Sequence, residues 1–294
     1  MGRAVLLAGL LAALAVPMLN VPPAHAGNII FGAEDPDLFG NLNQGDTQCP
    51  NVACGPTAAV NSFIFLQNRW PKVYGDRLVP EGADPAAEYQ NMIDVANTLG
   101  GGEYMNTCTC GTGTFIEQFI VGKQYYIDAM APNTTTYGAE VTTTWRDNPG
   151  GNHVGAKPAY VHDKTAPTIE WLAEQLNAGE DVELFINGTK GNHYVVLTQI
   201  EYDENLKTGY INFVDSNQPG NGMVAGVPTI GSADITGFDP DDMDILLSST
   251  DLSYLGGGLN IVNAVSESPI PEPGGLAVLA ALLVAIGALR RRYV

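Results

Sequence analysis

The chain has 294 residues, 45% of them hydrophobic and 15% charged, and carries 13 basic against 32 acidic side chains for a formal net charge of −19. So acidic a surface argues against nucleic acid or acidic polymers as partners, and the interleaving of carboxylates with patterned apolar segments argues against a disordered chain. Four cysteines and four histidines leave few side chains for nucleophilic or metal chemistry.

In chain order, residues 1–26 read first as an address. Arg3, the apolar run Ala4 to Met18 and the small-x-small site Ala24-His25-Ala26 are the three parts of a secretory signal, with signal peptidase cutting after Ala26. A Gly/Asn/Asp-rich entry runs from Gly27 to Asp46, after which the first half reads helical. Gly55 to Leu66 has helical spacing. A second helix begins with Asp84 as N-cap and Pro85 at its first position, buries Met92, Val95, Ala96 and Leu99, and stops at glycines 100 to 102. Phe115, Ile116, Phe119 and Ile120 mark a third. The segments "EVTTTW" and "KPAYVH" predict short strands around a turn-rich stretch. Pro167 opens another helix, ended by Gly179. Three strands follow, "DVELFIN", "HYVVLTQIEY" and "GYINFVDS"; a long loop from Asn217 to Gly258 precedes a last strand, "LNIVNAV". Helices first and a mainly antiparallel sheet second predict one α+β domain over residues 27–270, with nine basic and thirty-one acidic residues, a formal charge of −22.

The chain closes with "PEPGGLAVLAALLVAIGALRRRYV", residues 271–294. Sixteen uncharged residues, Gly274 to Leu289, span about 24 Å as a helix, a short transmembrane length, and the arginines 290 to 292 favour the cytoplasmic side. Pro-Glu-Pro, short apolar helix and basic end together resemble the PEP-CTERM sorting signal of exosortase-processed bacterial surface proteins. The resemblance implies a transient inner-membrane anchor, cleavage near Pro271 to Pro273 by an exosortase-type enzyme, and delivery to the cell surface or extracellular matrix.

Chemistry concentrates around Cys54 in "TQCPNVACGPTAAVNSFIFLQ". A nucleophilic cysteine needs its thiolate stabilised by a helix N-terminus, an imidazolium or both, and Gly55-Pro56 places Cys54 at a helix start. A disulfide or a buried structural thiol is the alternative from local sequence alone. Of the three histidines in the body, His153 and His162 sit in or beside the turn-rich segment, whereas His193 begins an apolar strand from which it can face a cleft as general base and acid. Asp215, at the end of the next strand, can orient the imidazole, with Asn217 as its rival. Gln48, six residues before Cys54, can donate to the oxyanion.

Together, Gln48, the helix-opening "CGPT", the distant "GNHYVVL" strand and the following Asp215 resemble papain-like cysteine peptidases, closest to the branch that cleaves double-glycine leaders of bacteriocins. The resemblance implies a papain-like α+β fold, Cys54 as nucleophile, His193 as base and acid, Asp215 as orienting residue, Gln48 as oxyanion donor, and a peptide or protein substrate. Ala53 and Ser216 stand where that branch carries Asp and Pro, so double-glycine specificity is not implied. A non-catalytic surface or matrix protein on the same fold, or a Cys-dependent acyl transferase, are the alternative functions. No cofactor is implied: Cys108 and Cys110 lack the second Cys/His pair of a zinc site, and "DPDDMD", Asp239 to Asp244, lacks EF-hand spacing and reads as a solvated acidic loop. An oxidising compartment suggests a bridge from Cys49 to Cys108 or Cys110. Protein recovered from its host should start at Gly27 and end near residue 270 by intact mass; a species retaining Arg290 to Arg292 would overturn the sorting reading.

Overall fold

The computed structural model describes residues 28–270 except 148, 151, 218–227, 240, 242 and 243. The signal at 1–26 and the tail at 271–294 lie outside the described residues. No helix among the described residues is long and apolar enough to cross a membrane. The architecture is α+β. Helices α1 (Cys54–Arg69), α2 (Pro85–Gly100), α3 (Thr107–Cys110) and α4 (Ile116–Met130) come first, and α5 (Ile169–Ala178) packs later against the sheet. Nine strands form that sheet: β1 (Ile29–Ala33), β2 (Thr135–Val141), β3 (Val161–Asp163), β4 (Asp181–Gly188), β5 (Gly191–Asp203), β6 (Thr208–Val214), β7 (Ile230–Phe238), β8 (Ile245–Ser248) and β9 (Leu259–Pro269).

Strands β5 to β9 pair successively and β4 pairs with both β5 and β9, so six antiparallel strands close into a ring. β1 extends the sheet from β5, β2 extends it from β9, and β3 adds the parallel pair. Two cores result. One fills the ring and lies under α5, with Val182, Leu184, Ile186, Val195, Leu197, Phe213 and Ile261. The other joins the helices to the outer face of the ring through Phe63, Phe65, Phe119, Tyr194 and Val265. Helix α1 runs through the second core and is buried along its whole length from Gly55 to Leu66. A helix covered on all sides needs partners on each, and α1 has α2 and α4 on one side and β4 and β5 on the other.

Local chemistry sets several boundaries where the sequence places them. Asp84 caps α2 by accepting from the Ala87 N–H, with Pro85 at the first helical position. Gly179 ends α5 at φ +80°, a conformation that costs glycine nothing. Elsewhere the structure differs. Thr168, not Pro167, caps α5 by accepting from the Trp171 N–H. "EVTTTW" is mostly loop, because the strand pairing with β9 begins earlier at Thr135. The supposed loop from Asn217 to Gly258 contains β7 and β8, and the opening segment contains β1. In β7 the inward positions are Gly231, Ala233 and Ile235, too small a set to advertise a buried face.

Between the two cores lies a buried charge cluster. The fully buried ammonium of Lys123 on α4 bonds to Asp181 (3.0 Å), Glu183 and Glu267, and to Ser62 of α1 (3.2 Å). Period-2 alternation explains the acids: Val182, Leu184 and Ile186 fill the ring, so Asp181 and Glu183 point to the helical side, where Glu267 of β9 stands opposite Asp181. One cation among three carboxylates leaves negative charge in a dry site. Burial first, then the neighbouring Glu183 charge, raises the Asp181 pKa to about 7 against the pull of Lys123, and burial raises Glu267 too. Burial opposes the Lys123 charge, but the three carboxylates outweigh it and hold the ammonium protonated. Raised carboxyl values mean the folded state binds more protons, so this cluster contributes most at low pH and loses stability as pH rises through about 7. Lys123→Met should therefore destabilise by roughly 3–5 kcal/mol by leaving uncompensated buried charge, more at pH 8 than at pH 5. Asp181→Asn should flatten the stability loss between those pH values; urea unfolding of both variants checks it.

Candidate active site

Cys54 is the first residue of α1, half-buried, and unpaired. The helix start can approach the loop over Thr114 because Gly55 has no side chain there: a Cβ would lie 2.6 Å from Thr114 Oγ1 and 3.0 Å from its Cβ. Across from it, His193 begins the buried stretch of β5. Its successor Tyr194 pins the backbone, with its ring stacked on Phe119 at 4.4 Å and tilted against Phe185 at 4.7 Å.

The His193 imidazole holds Asp215 Oδ1 at 2.7 Å through Nε2, which leaves Nδ1 for the sulfur of Cys54, and His193 and Cys54 are close enough to shift each other's pKa. Burial works against a charged thiolate, but the hydrogen bond and charge of His193, with the backbone N–H groups of Tyr194 and Gly55, outweigh it and lower the thiol pKa. Burial likewise opposes the imidazolium, yet the Asp215 charge and hydrogen bond and the Cys54 thiolate raise His193 to about 10. Asp215 is raised by burial and lowered more by His193, the Asn217 N–H and Tyr254, so its pKa falls below the ordinary value. All three shifts run toward the charged forms: thiolate, imidazolium and carboxylate.

The structure thus brings Cys54, His193 and Asp215 together. Asn217 supports the carboxylate instead of replacing it, its backbone N–H donating to Asp215 Oδ1 at 2.8 Å. Gln48 is elsewhere: it is exposed, and its Nε2 donates to the Asn97 carbonyl at the end of α2 (3.3 Å). Another glutamine of the same loop, Gln44, is tied to the strand end that carries Asp215. Its backbone N–H donates to the Ser216 carbonyl at 3.0 Å, and Ser216 Oγ approaches its Oε1 at 3.5 Å. Tyr254 is a further member that sequence reasoning missed. From a 3-10 turn (Ser253–Leu255) it donates its hydroxyl to Asp215 Oδ2 at 2.8 Å and sets its ring edge-on to His193, 5.5 Å between centroids. Burial and the Asp215 charge raise its pKa, keeping it a donor. His153 stacks on Tyr125 and His162 bonds Glu140, both apart from this group. Cys49 pairs with Cys108, one of the two bridges expected. No family model matches the chain, and no curated protein matches it.

Beside Cys54 opens a pocket of about 590 Å³. Its lining includes Phe115, Phe185, Tyr194 and Val262 and the polar Asn187, Asn192, Asn260 and Asp244. Asp244 is thereby buried, not part of a solvated acidic loop. Iodoacetamide should alkylate Cys54 at pH 6 far faster than an ordinary thiol, with the rate read by peptide mass spectrometry, and His193→Gln should remove that advantage. The imidazolium also stabilises the fold: with a folded value near 10 against 6.5 unfolded, its contribution is complete below pH 6.5 and lost as pH rises toward 10. The stability gap between wild type and His193→Gln should therefore narrow over that window; a gap that widens would reverse the assigned shift.

Proposed function

We propose that this chain is an exported papain-like cysteine peptidase that cuts peptides or proteins at or outside the cell surface. The observation that carries the reading is the junction of the two halves. The helical half supplies a sulfur with a lowered pKa at a helix start, and the strand ring supplies an imidazole aligned by a buried carboxylate. The Cys49–Cys108 bridge fits an oxidising compartment. Signal peptidase and an exosortase-type enzyme are the processing partners proposed from the two ends.

The chemistry follows from the ion pair. Cys54 Sγ attacks the scissile carbonyl carbon, forming a C–S bond while the carbonyl oxygen takes the electron pair. His193 gives its Nδ1 proton to the amine nitrogen, the C–N bond breaks and the amine leaves. Neutral His193 then takes a proton from water as the hydroxyl attacks the thioester. The C–S bond breaks, the acid departs and the thiolate–imidazolium pair returns. Asp215 steadies the imidazolium without taking its proton, and Tyr254 and the Asn217 N–H steady Asp215. The backbone N–H at the helix start is one oxyanion donor. Gln44, whose backbone and side chain meet Ser216 beside Asp215, takes the second place in our assignment; its Nε2 donates to the Pro50 carbonyl at 3.0 Å and, like the Gln48 amide on Asn97, would have to turn to serve.

In a peptide-library assay, Cys54→Ala and His193→Ala should each abolish nearly all turnover, because nucleophile and proton carrier act as a unit. Gln44→Ala should cost on the order of 10²- to 10³-fold in kcat, and Gln48→Ala little. Asp215→Ala should fall between, and Asn217→Ala should do less than Asp215→Ala. Gln48→Ala proving the more damaging in folded protein would reverse the oxyanion assignment, and full activity in Cys54→Ala would end the peptidase reading. Capture of the acyl group by an added amine in preference to water would redirect the reaction to acyl transfer.

A further inference from the structure

Three of the body's nine cations fall within one short stretch at the C-terminal end of α1: Arg69, Lys72 and Arg77. Elsewhere Lys123 is buried, and Arg146 and Lys157 are paired with Glu117 and Asp163. Here the charges stay at the surface. Lys72 is exposed, the Arg69 side chain is 44% exposed and reaches only Glu34, at 3.7 Å, and Arg77 donates to the backbone carbonyls of Val73 and Tyr74. Asp76 is the one acid within that stretch, in a body whose formal charge is −22.

The same end of the molecule opens a groove of about 430 Å³, whose lining includes Arg69, Trp70, Lys72, Val73, Pro269 and Ile270. Trp70 donates its indole N–H to the Gly179 carbonyl at 3.2 Å, which fixes the ring against the end of α5, and Ile270 is exposed. A tryptophan, aliphatic side chains and cations side by side are the composition that settles at a headgroup boundary. There the ring and the stems enter the apolar fringe and the charges meet phosphate.

The path of the chain names the occupant. Pro269 closes β9, and Ile270, whose N–H donates to the Thr134 carbonyl at 2.7 Å, lines the groove as the last described residue. Gly274, the first of sixteen uncharged residues, stands four positions further on, at most about 14 Å of extended chain. With that run in a bilayer, the groove is the part of the body tethered nearest to the lipid. We propose that this groove, with its neighbouring cations, is a docking surface for the anionic phospholipid headgroups of a bilayer. The inference goes beyond the peptidase reading and rests on reading residues 274–289 as a membrane segment. Repulsion of the acidic faces elsewhere selects the orientation. Helix α1 then separates lipid from chemistry: Arg69 and Cys54 stand at its two ends, about 22 Å apart, so a body docked by the groove keeps its thiol away from the lipid contact.

The test separates docking from anchoring. The chain from Gly27 to Val294 is reconstituted with vesicles of phosphatidylcholine, either alone or with about a quarter phosphatidylglycerol. Flotation reports the membrane segment. Quenching of tryptophan emission by phosphatidylcholine brominated near the headgroup end of its chains reports the docking, since Trp70 lines the groove whereas Trp145 and Trp171 do not. The chain should float with both vesicles. In the anionic ones its emission should be quenched, by an amount that falls at least about threefold in Trp70→Phe and at least about twofold in Lys72→Glu or when salt is raised from about 0.05 M to about 0.5 M. Lys72 is exposed, so its reversal decides the matter even if Trp70→Phe fails to fold. Flotation with an unquenched Trp70, or quenching indifferent to both phosphatidylglycerol and Lys72→Glu, overturns the docking surface and leaves the membrane segment standing. Flotation with the anionic vesicles alone, abolished by Lys72→Glu, would end the membrane-segment reading and keep the docking surface; no flotation with either ends both.

Discussion

One ammonium shared among three buried carboxylates holds the two halves of this molecule in register. Lys123 comes from α4, Ser62 from α1, Asp181 and Glu183 from β4, and Glu267 from β9, so a single cluster ties the helical half to the strand ring. A buried ionic cluster is a poor source of net stability, because desolvation offsets most of the Coulomb attraction. Its geometry is nevertheless demanding, since any sliding of α1 or α4 along the ring would separate charges in a dry site. Cys54 lies eight residues from Ser62 along α1, about 12 Å up the helix. His193 lies on β5 opposite Ile186 of β4, the strand that carries Asp181 and Glu183. A register fixed at the cluster is thereby transmitted through one rigid helix and one strand pair to the distance between sulfur and imidazole.

At the site, the same low-dielectric surroundings work in the opposite sense. Burial penalises each charge singly, yet the attractions among Cys54, His193 and Asp215 outweigh it and shift all three toward their charged forms. Tyr254 and the Asn217 N–H complete the satisfaction of Asp215, leaving the imidazole with a single productive orientation. The carboxylate is thus stabilised by neutral donors that do not compete with His193 for its proton, which is what an orienting group requires.

How far the sequence could be read depended on whether the signal was local. The Asp84-Pro85 start of α2, the Gly179 stop of α5 and the strands β4, β5, β6 and β9 follow from caps and alternation within a few residues. Cys54, His193 and Asp215 were readable because each stands at the boundary of such an element. Gln44 and Gln48 share one loop, and only the path of that loop decides which turns toward Ser216 and which toward Asn97. Tyr254 carried no local mark at all. In "DVELFIN" the sequence showed a strand but not that both faces are covered: Val182, Leu184 and Ile186 fill the ring, the helices lie on the other face, and Lys123 of α4 supplies the charge that makes the covering tolerable. Asp244 misled for the same reason: it is the last of an acidic run, yet it is buried.

A thiolate is also the form that oxidants and disulfides attack, so the lowered pKa that would make Cys54 a nucleophile would also expose it in an oxidising compartment. The fold meets this by separating thiols that are five residues apart in sequence. Cys49 lies in the loop before α1 and is joined to Cys108 of α3, whose sulfur packs close against Gly100 at the end of α2, where a Cβ would lie 2.7 Å away. Cys54 is carried by the helix start toward the imidazole and the cleft. The bridge therefore removes the nearest thiol in sequence from exchange while anchoring the loop that leads into α1. The bridge commits Cys49 away from Cys54, and the same covalent tie anchors the chain just before the helix that carries the sulfur.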